Sequence, residues 1–136
     1  MAQYSLAPEF DRFAEIYRSG STQVVWLKLV ADLETPVSAM MKIANGEPYS
    51  FLLESVEGGA IRGRYSLIGL RPDIIWRYAD GLTEINRKAQ ITESSFSPCP
   101  VGVTDGPLSS LRSLLAESRI ELPDHLPPMS AGLFGY

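Results

Sequence analysis

Asp80-Gly81 is the dipeptide that most restricts what this chain can fold into. Both residues accept the positive φ needed at the centre of a two-residue hairpin, and such a turn matches the twist of antiparallel strands. The flanking runs, Asp73–Ala79 and Leu82–Lys88, are strand-like, so the stretch is committed to an antiparallel hairpin. A second pair of strand-like runs precedes it: Tyr49–Val56 and Arg64–Leu70, joined through Glu57-Gly58-Gly59-Ala60. Gln23–Val30, β-branched and aromatic, reads as a further strand, and so does the apolar run Met129–Tyr136.

Three helices complete the pattern. Over Pro8–Arg18 the side chains of Phe10, Phe13, Ala14 and Tyr17 share a face, with Pro8 at the first position and Gly20 closing the end. Pro36–Ala44 has Thr35 as N-cap and Gly46 as its stop. Pro107–Arg119 carries a stripe of Leu108, Leu111, Leu114 and Leu115. Gln90–Asp105, rich in Ser, Pro and Gly and without periodicity, reads as a loop, and Leu122–Pro128 as a proline-bounded connector. The expected fold is α+β over residues 1–136, a mainly antiparallel sheet with a few packing helices. Met129–Tyr136 stops without a following partner, which implies an incomplete portion of a larger two-layer fold. An unpaired apolar edge there predicts a fragment dimer through strand pairing.

Composition excludes several function classes. The 136 residues suffice for one domain core, and the net charge of −4 is dispersed, without a basic stripe that would track nucleic acid. Apolar runs fall well short of the roughly 20 residues a membrane helix needs, and no signal-peptide pattern opens the chain. The single cysteine, Cys99, permits neither an internal disulfide nor a cysteine zinc site. A cytoplasmic location is expected. Cys99, without a basic sequence neighbour, reads as an inert loop thiol, and His125 as a surface residue without metal-ligand spacing. Gly58, Gly59 and Gly63 lack the lysine and helix of a phosphate loop. No residue set with catalytic or metal-binding geometry stands out.

One strand carries the chemistry. Glu54 ends an otherwise apolar run, and an unpaired buried carboxylate costs several kcal/mol. An amino-acid ligand would answer it, with its ammonium on Glu54, its carboxylate on the Ser55 hydroxyl and its side chain against Leu53. Strand neighbours point to opposite faces, so either the strand ends or bulges at Glu54–Ser55, or one of the two acts through its backbone. If the two runs pair, Arg64, Tyr65 and Ser66 lie beside this strand, and a plain Arg64–Glu54 salt bridge is the equal alternative.

Leu33–Ala39, Tyr49–Gly59 and Gly63–Gly69, in this order and spacing, resemble the N-terminal region of anthranilate synthase component I. Ala131–Tyr136 is similar to the glycine-aromatic strand that leads into that family's chorismate-binding half. The resemblance implies a tryptophan-binding feedback site containing Leu53, Glu54 and Ser55, with Arg64, Tyr65 and Ser66 beside it. It also implies a parent enzyme that converts chorismate and ammonia into anthranilate and pyruvate with Mg²⁺. That ammonia would come from a glutamine amidotransferase subunit. Catalytic and Mg²⁺-binding residues would then lie in the C-terminal chorismate-binding part, outside these residues. Two alternatives share the features: the N-terminal region of aminodeoxychorismate synthase component I, and a free-standing amino-acid-binding or interaction module.

Overall fold

The computed structural model describes residues 6–54, 65–88, 92, 95–127 and 129–136. Helix α1 spans Phe10–Arg18 and α2 spans Pro36–Ala44. Strands β1 (Phe51–Glu54) and β2 (Ser66–Gly69) form one antiparallel ladder. A second sheet runs in the order β3 (Ile75–Ala79), β4 (Leu82–Asn86), β5 (Ser97–Pro98), again antiparallel. Helices α3 (Pro100–Asp105) and α4 (Pro107–Glu117) follow. The α+β class holds, as two small sheets rather than one.

The Asp80-Gly81 hairpin forms as its turn chemistry requires. Both residues take positive φ (52° and 79°), and Ala79 pairs with Leu82 across them. Arg77 lies opposite Glu84 with Nε donating to Oε2 at 2.8 Å, while its guanidinium stacks 3.9 Å above the Phe96 ring. Helix α2 is fixed by local signals. The Thr35 hydroxyl accepts from the Ser38 N–H, the Ser38 hydroxyl accepts from the Thr35 N–H, Pro36 opens the helix, and Asn45 and Gly46 close it at positive φ. Glu34 accepts from the Ser38 hydroxyl and pairs with Lys42, tying the approach to the helix.

Several expectations are corrected. Helix α1 starts at Phe10, not Pro8, with Glu9 at the N-cap, although Gly20 does sit just past its end at φ 75°. Only Ala14 of its apolar face is buried, and Phe10 and Tyr17 stay exposed. Gln23–Val30 is not a strand; its one pairing is an isolated bridge in which Ala7 and Trp26 exchange both backbone hydrogen bonds, at 2.9 and 2.8 Å. Met129–Tyr136 forms no strand either. In both runs β-propensity is present but a partner ladder among the described residues is not.

The Gln90–Asp105 loop instead contains β5 and α3, because Pro100 occupies the first helical turn and Gly106, at φ 85°, separates α3 from α4. Helix α4 buries only part of the predicted leucine stripe, with Leu114 buried and Leu111 half-buried. Ser110 and Leu114 are inside, whereas Leu108 and Leu115 are exposed. The reason is polar: the Trp76 indole donates to the Ser110 hydroxyl at 2.9 Å, and Cys99 Sγ lies 3.0 Å from the same oxygen. Ile85, Cys99 and Leu114 form this core, with Ile74, Trp76 and Val101 packed on it.

Gly102 in α3 abuts Thr83 of β4 so closely that an added Cβ would fall inside van der Waals contact with the buried Thr83 side chain. Alanine ordinarily favours a helix over glycine. Here the overlap sets the sign, and Gly102→Ala is expected to lower unfolding stability by about 1–3 kcal/mol. Urea denaturation followed by tryptophan fluorescence checks this.

Candidate functional site

The β1–β2 ladder brings four of the six predicted site residues together. Its register pairs Phe51 with Gly69, Leu52 with Ile68, Leu53 with Leu67 and Glu54 with Ser66. Since strand side chains alternate, Glu54 and Ser66 share one face with Leu52 and Ile68. Leu53 lies on the other face with Phe51 and Leu67, and Tyr65, one residue before β2, follows on that side. Leu53, Glu54, Tyr65 and Ser66 are all exposed. Ser55 and Arg64 lie outside the described residues, and with them the proposed Arg64–Glu54 salt bridge. Among the described residues, no side chain pairs with the Glu54 carboxylate.

The entry to β1 explains why the strand is shorter than its apolar run. The chain passes through Tyr49 at φ 55°, a conformation that non-glycine residues seldom adopt, and extended pairing starts at Phe51. The Ser50 hydroxyl donates to the Glu47 carbonyl at 2.8 Å. Glu47 in turn binds Arg71, just past the end of β2, through Nε at 2.8 Å and Nη2 at 2.6 Å. This two-pronged contact links the segment before β1 to the segment after β2, and α2 packs against both strands.

The aromatic Phe134 was not anticipated near this hairpin. Its ring centroid stands 4.9 Å from that of Phe51, on the face that carries Leu53. Gly69 makes room for this, since the Phe51 ring occupies the space a Cβ on Gly69 would need. The signal was present in the sequence, as Phe134 belongs to the terminal glycine-aromatic block, but nothing local indicated where that block returns.

Two other features stand apart from the hairpin. A cleft of about 500 Å³ lies between α1 and residues 21–26, lined in part by Arg12, Gln23, Trp26 and Glu121. It is open, and Leu53, Glu54, Tyr65 and Ser66 are not among its lining residues. Cys99 is not the isolated thiol the sequence indicated. Burial pushes its pKa up, but hydrogen bonding with Ser110 and with the backbone of Gly102 and Val101, together with the charge of Arg87, brings it below the ordinary thiol value. Among the described residues no three His, Cys, Asp or Glu side chains converge to hold a metal ion.

The sequence is similar to several curated proteins called anthranilate synthase component 1. It is 48% identical over 127 residues to the one from Cereibacter sphaeroides, covering 93% of this chain and 25% of that protein. Against the Synechocystis protein the identity is 41% over 131 residues, 96% of this chain and 24% of the relative. Against the Arthrobacter globiformis protein it is 32% over 131 residues, 96% and 23% respectively. The chain thus spans about a quarter of the length of the curated relatives it matches. No family model and no solved structure matches it.

The Glu47–Arg71 contact supplies a pH test of the hairpin frame. Hydrogen bonding from Arg71 holds the Glu47 carboxyl below its ordinary pKa. Because the folded value is the depressed one, this contact stabilises the fold above the ordinary carboxylate range, near 4.3, and is lost as pH falls through the folded pKa. In an NMR titration the Glu47 midpoint should lie below that range. It should return towards the ordinary value in Arg71→Met.

Proposed function

Because the chain belongs to the anthranilate synthase component 1 family and matches the N-terminal portion of its members, we propose that residues 1–136 form the tryptophan-sensing region of that enzyme subunit. The observation that carries this reading is the β1–β2 register. It sets Glu54, which has no side-chain partner among the described residues, opposite Ser66, with Leu53 and Tyr65 on the reverse face.

These groups suit an aromatic amino acid. Glu54 attracts the ammonium, the hydroxyls of Ser55 and Ser66 donate to the carboxylate, and Leu53 and Tyr65 offer apolar surface to the indole. A ligand that meets Glu54 and Ser66 as well as Leu53 and Tyr65 has to engage both faces of the hairpin. Arg64, close in sequence, is assigned to the same ligand. The pocket is completed by the C-terminal chorismate-binding part of the subunit, and tryptophan regulates turnover by binding one arrangement of the two parts better than another.

In this reading the parent, a lyase of the cytoplasm, turns chorismate and ammonia from its glutamine amidotransferase partner into anthranilate and pyruvate. No helix among the described residues is long and apolar enough to cross a membrane. The described residues offer no donor set for the Mg²⁺ of that reaction, and no step is assigned to such an ion here. What this chain contributes is regulatory, a set of side chains that bind inhibitor.

In the full-length subunit with its amidotransferase partner, Glu54→Gln and Ser55→Ala should each raise the tryptophan concentration for half-inhibition by roughly tenfold, the equivalent of about 1.4 kcal/mol. Uninhibited turnover should stay within about twofold of the parent's. Inhibition that is unchanged in both variants overturns the assignment. Calorimetric titration of the 136-residue chain alone with L-tryptophan should show weak or undetectable binding. Micromolar binding would instead favour a free-standing amino-acid-binding module.

A further inference from the structure

The β1–β2 ladder is two-stranded and short, a size that is marginally stable in water by itself. Its register decides which side chains share a face with Glu54. Phe51 pins that register. Its ring lies over its cross-strand partner Gly69, where an added Cβ would stand 2.2 Å from Phe51 Cε1. Every other position from Ser66 to Arg71 carries a Cβ, so a slip of one or two residues either way would set a side chain against the ring. Phe134 packs on the same ring, with centroids 4.9 Å apart and planes inclined by 35°, a separation at which aromatic pairs attract. It reaches β1 from the far end of the chain.

We infer that Phe134 is a positioning residue for the inhibitor site. By packing on Phe51 it holds that ring over Gly69, and so keeps Glu54 opposite Ser66 with Leu53 on the other face. This rests on the tryptophan reading and adds to it a residue that acts through Phe51 rather than on the ligand. The path of the effect is short. Phe51 and Glu54 belong to the same strand, so a ring that leaves Gly69 releases the register of both. Leu53 shares a face with Phe51, so a displaced ring disturbs the apolar side of the site as well. Leucine or methionine at position 134 keeps an apolar contact but gives up ring-on-ring packing, whereas tyrosine keeps the ring.

The test uses the full-length subunit with its amidotransferase partner. Phe134→Leu and Phe134→Met should each raise the tryptophan concentration for half-inhibition by about fivefold. Phe134→Tyr should stay within about twofold of the parent's value, and uninhibited turnover and the KM for chorismate should move by less than about twofold in all three. Leu114→Val, which shrinks a side chain in the separate core around Ile85, reports general loss of stability and should leave half-inhibition unchanged. Parent-like inhibition in Phe134→Leu and Phe134→Met, with Glu54→Gln still weakening it, overturns the inference and leaves the tryptophan reading standing. Parent-like inhibition in Glu54→Gln and Ser55→Ala as well removes the reading and the inference with it. The inference also falls if Phe134→Tyr behaves like Phe134→Leu, or if Leu114→Val weakens inhibition as much. Failure of both Phe134→Leu and Phe134→Met to assemble overturns it too, because Phe134 is then a general support of the fold.

Discussion

A strand persists only where a second strand takes up its N–H and C=O groups, and this requirement organises the whole molecule. Buried backbone groups left unpaired are expensive, so apolar, β-branched sequence is not sufficient for a strand. Pairing is available for β1 with β2, and for β4 with β3 and β5. Each ladder then attracts a helix: α2 lies on β1 and β2, and α3 lies on β4. Where pairing is reduced to the single Ala7–Trp26 bridge, the chain stays irregular and its apolar side chains stay in contact with water.

The same requirement defines the candidate site. A one-residue slip between β1 and β2 would exchange the two faces throughout, placing Glu54 where Leu53 lies. The observed register is held by steric fit as well as hydrogen bonding. The Phe51 ring lies over Gly69, where no larger residue leaves space, and Phe134 packs on that ring. Glu47 and Arg71 clamp the opposite end of the hairpin from Glu54 and Ser66. The acidic and hydroxyl groups therefore occupy the end away from this clamp.

What the sequence revealed follows the range over which each signal acts. Helix α2 was legible because Thr35 and Pro36 mark its start and Gly46 its stop, each acting on its immediate neighbours. The β3–β4 hairpin was legible because Asp80-Gly81 specifies it locally. Helix α3 escaped because Pro100, Gly102 and Gly106 resemble loop residues until Thr83 and Cys99 are placed beside them. The leucine stripe of α4 located Leu111 and Leu114 but not Ser110, which Trp76 and Cys99 draw inward from distant parts of the chain. At the site, the meeting of Leu53 and Glu54 with Tyr65 and Ser66 was readable from two adjacent strand-like runs. The approach of Phe134 was not, because no local rule brings the last residues back to β1.

Few apolar side chains are removed from water: among the described residues Ala14, Ala44, Ile85, Cys99 and Leu114 are the buried ones. An apolar fraction of 45% would ordinarily supply a larger core. Large apolar side chains are exposed instead along much of the chain, among them Phe10 and Tyr17 on α1, Val25, Leu27 and Leu29 after it, Leu82 on β4 and Leu108 and Leu115 on α4. Such a surface gives regulation a physical basis in the proposed reading. A ligand held wholly by one rigid body has equal affinity for every arrangement of the rest and shifts nothing. In that reading a ligand beside Glu54 and Ser66, touched from one side by this chain and from the other by the remainder of the subunit, senses their separation directly. An incomplete pocket in this chain is then, in the proposed reading, what feedback control requires, because the part that completes it is the part whose position matters.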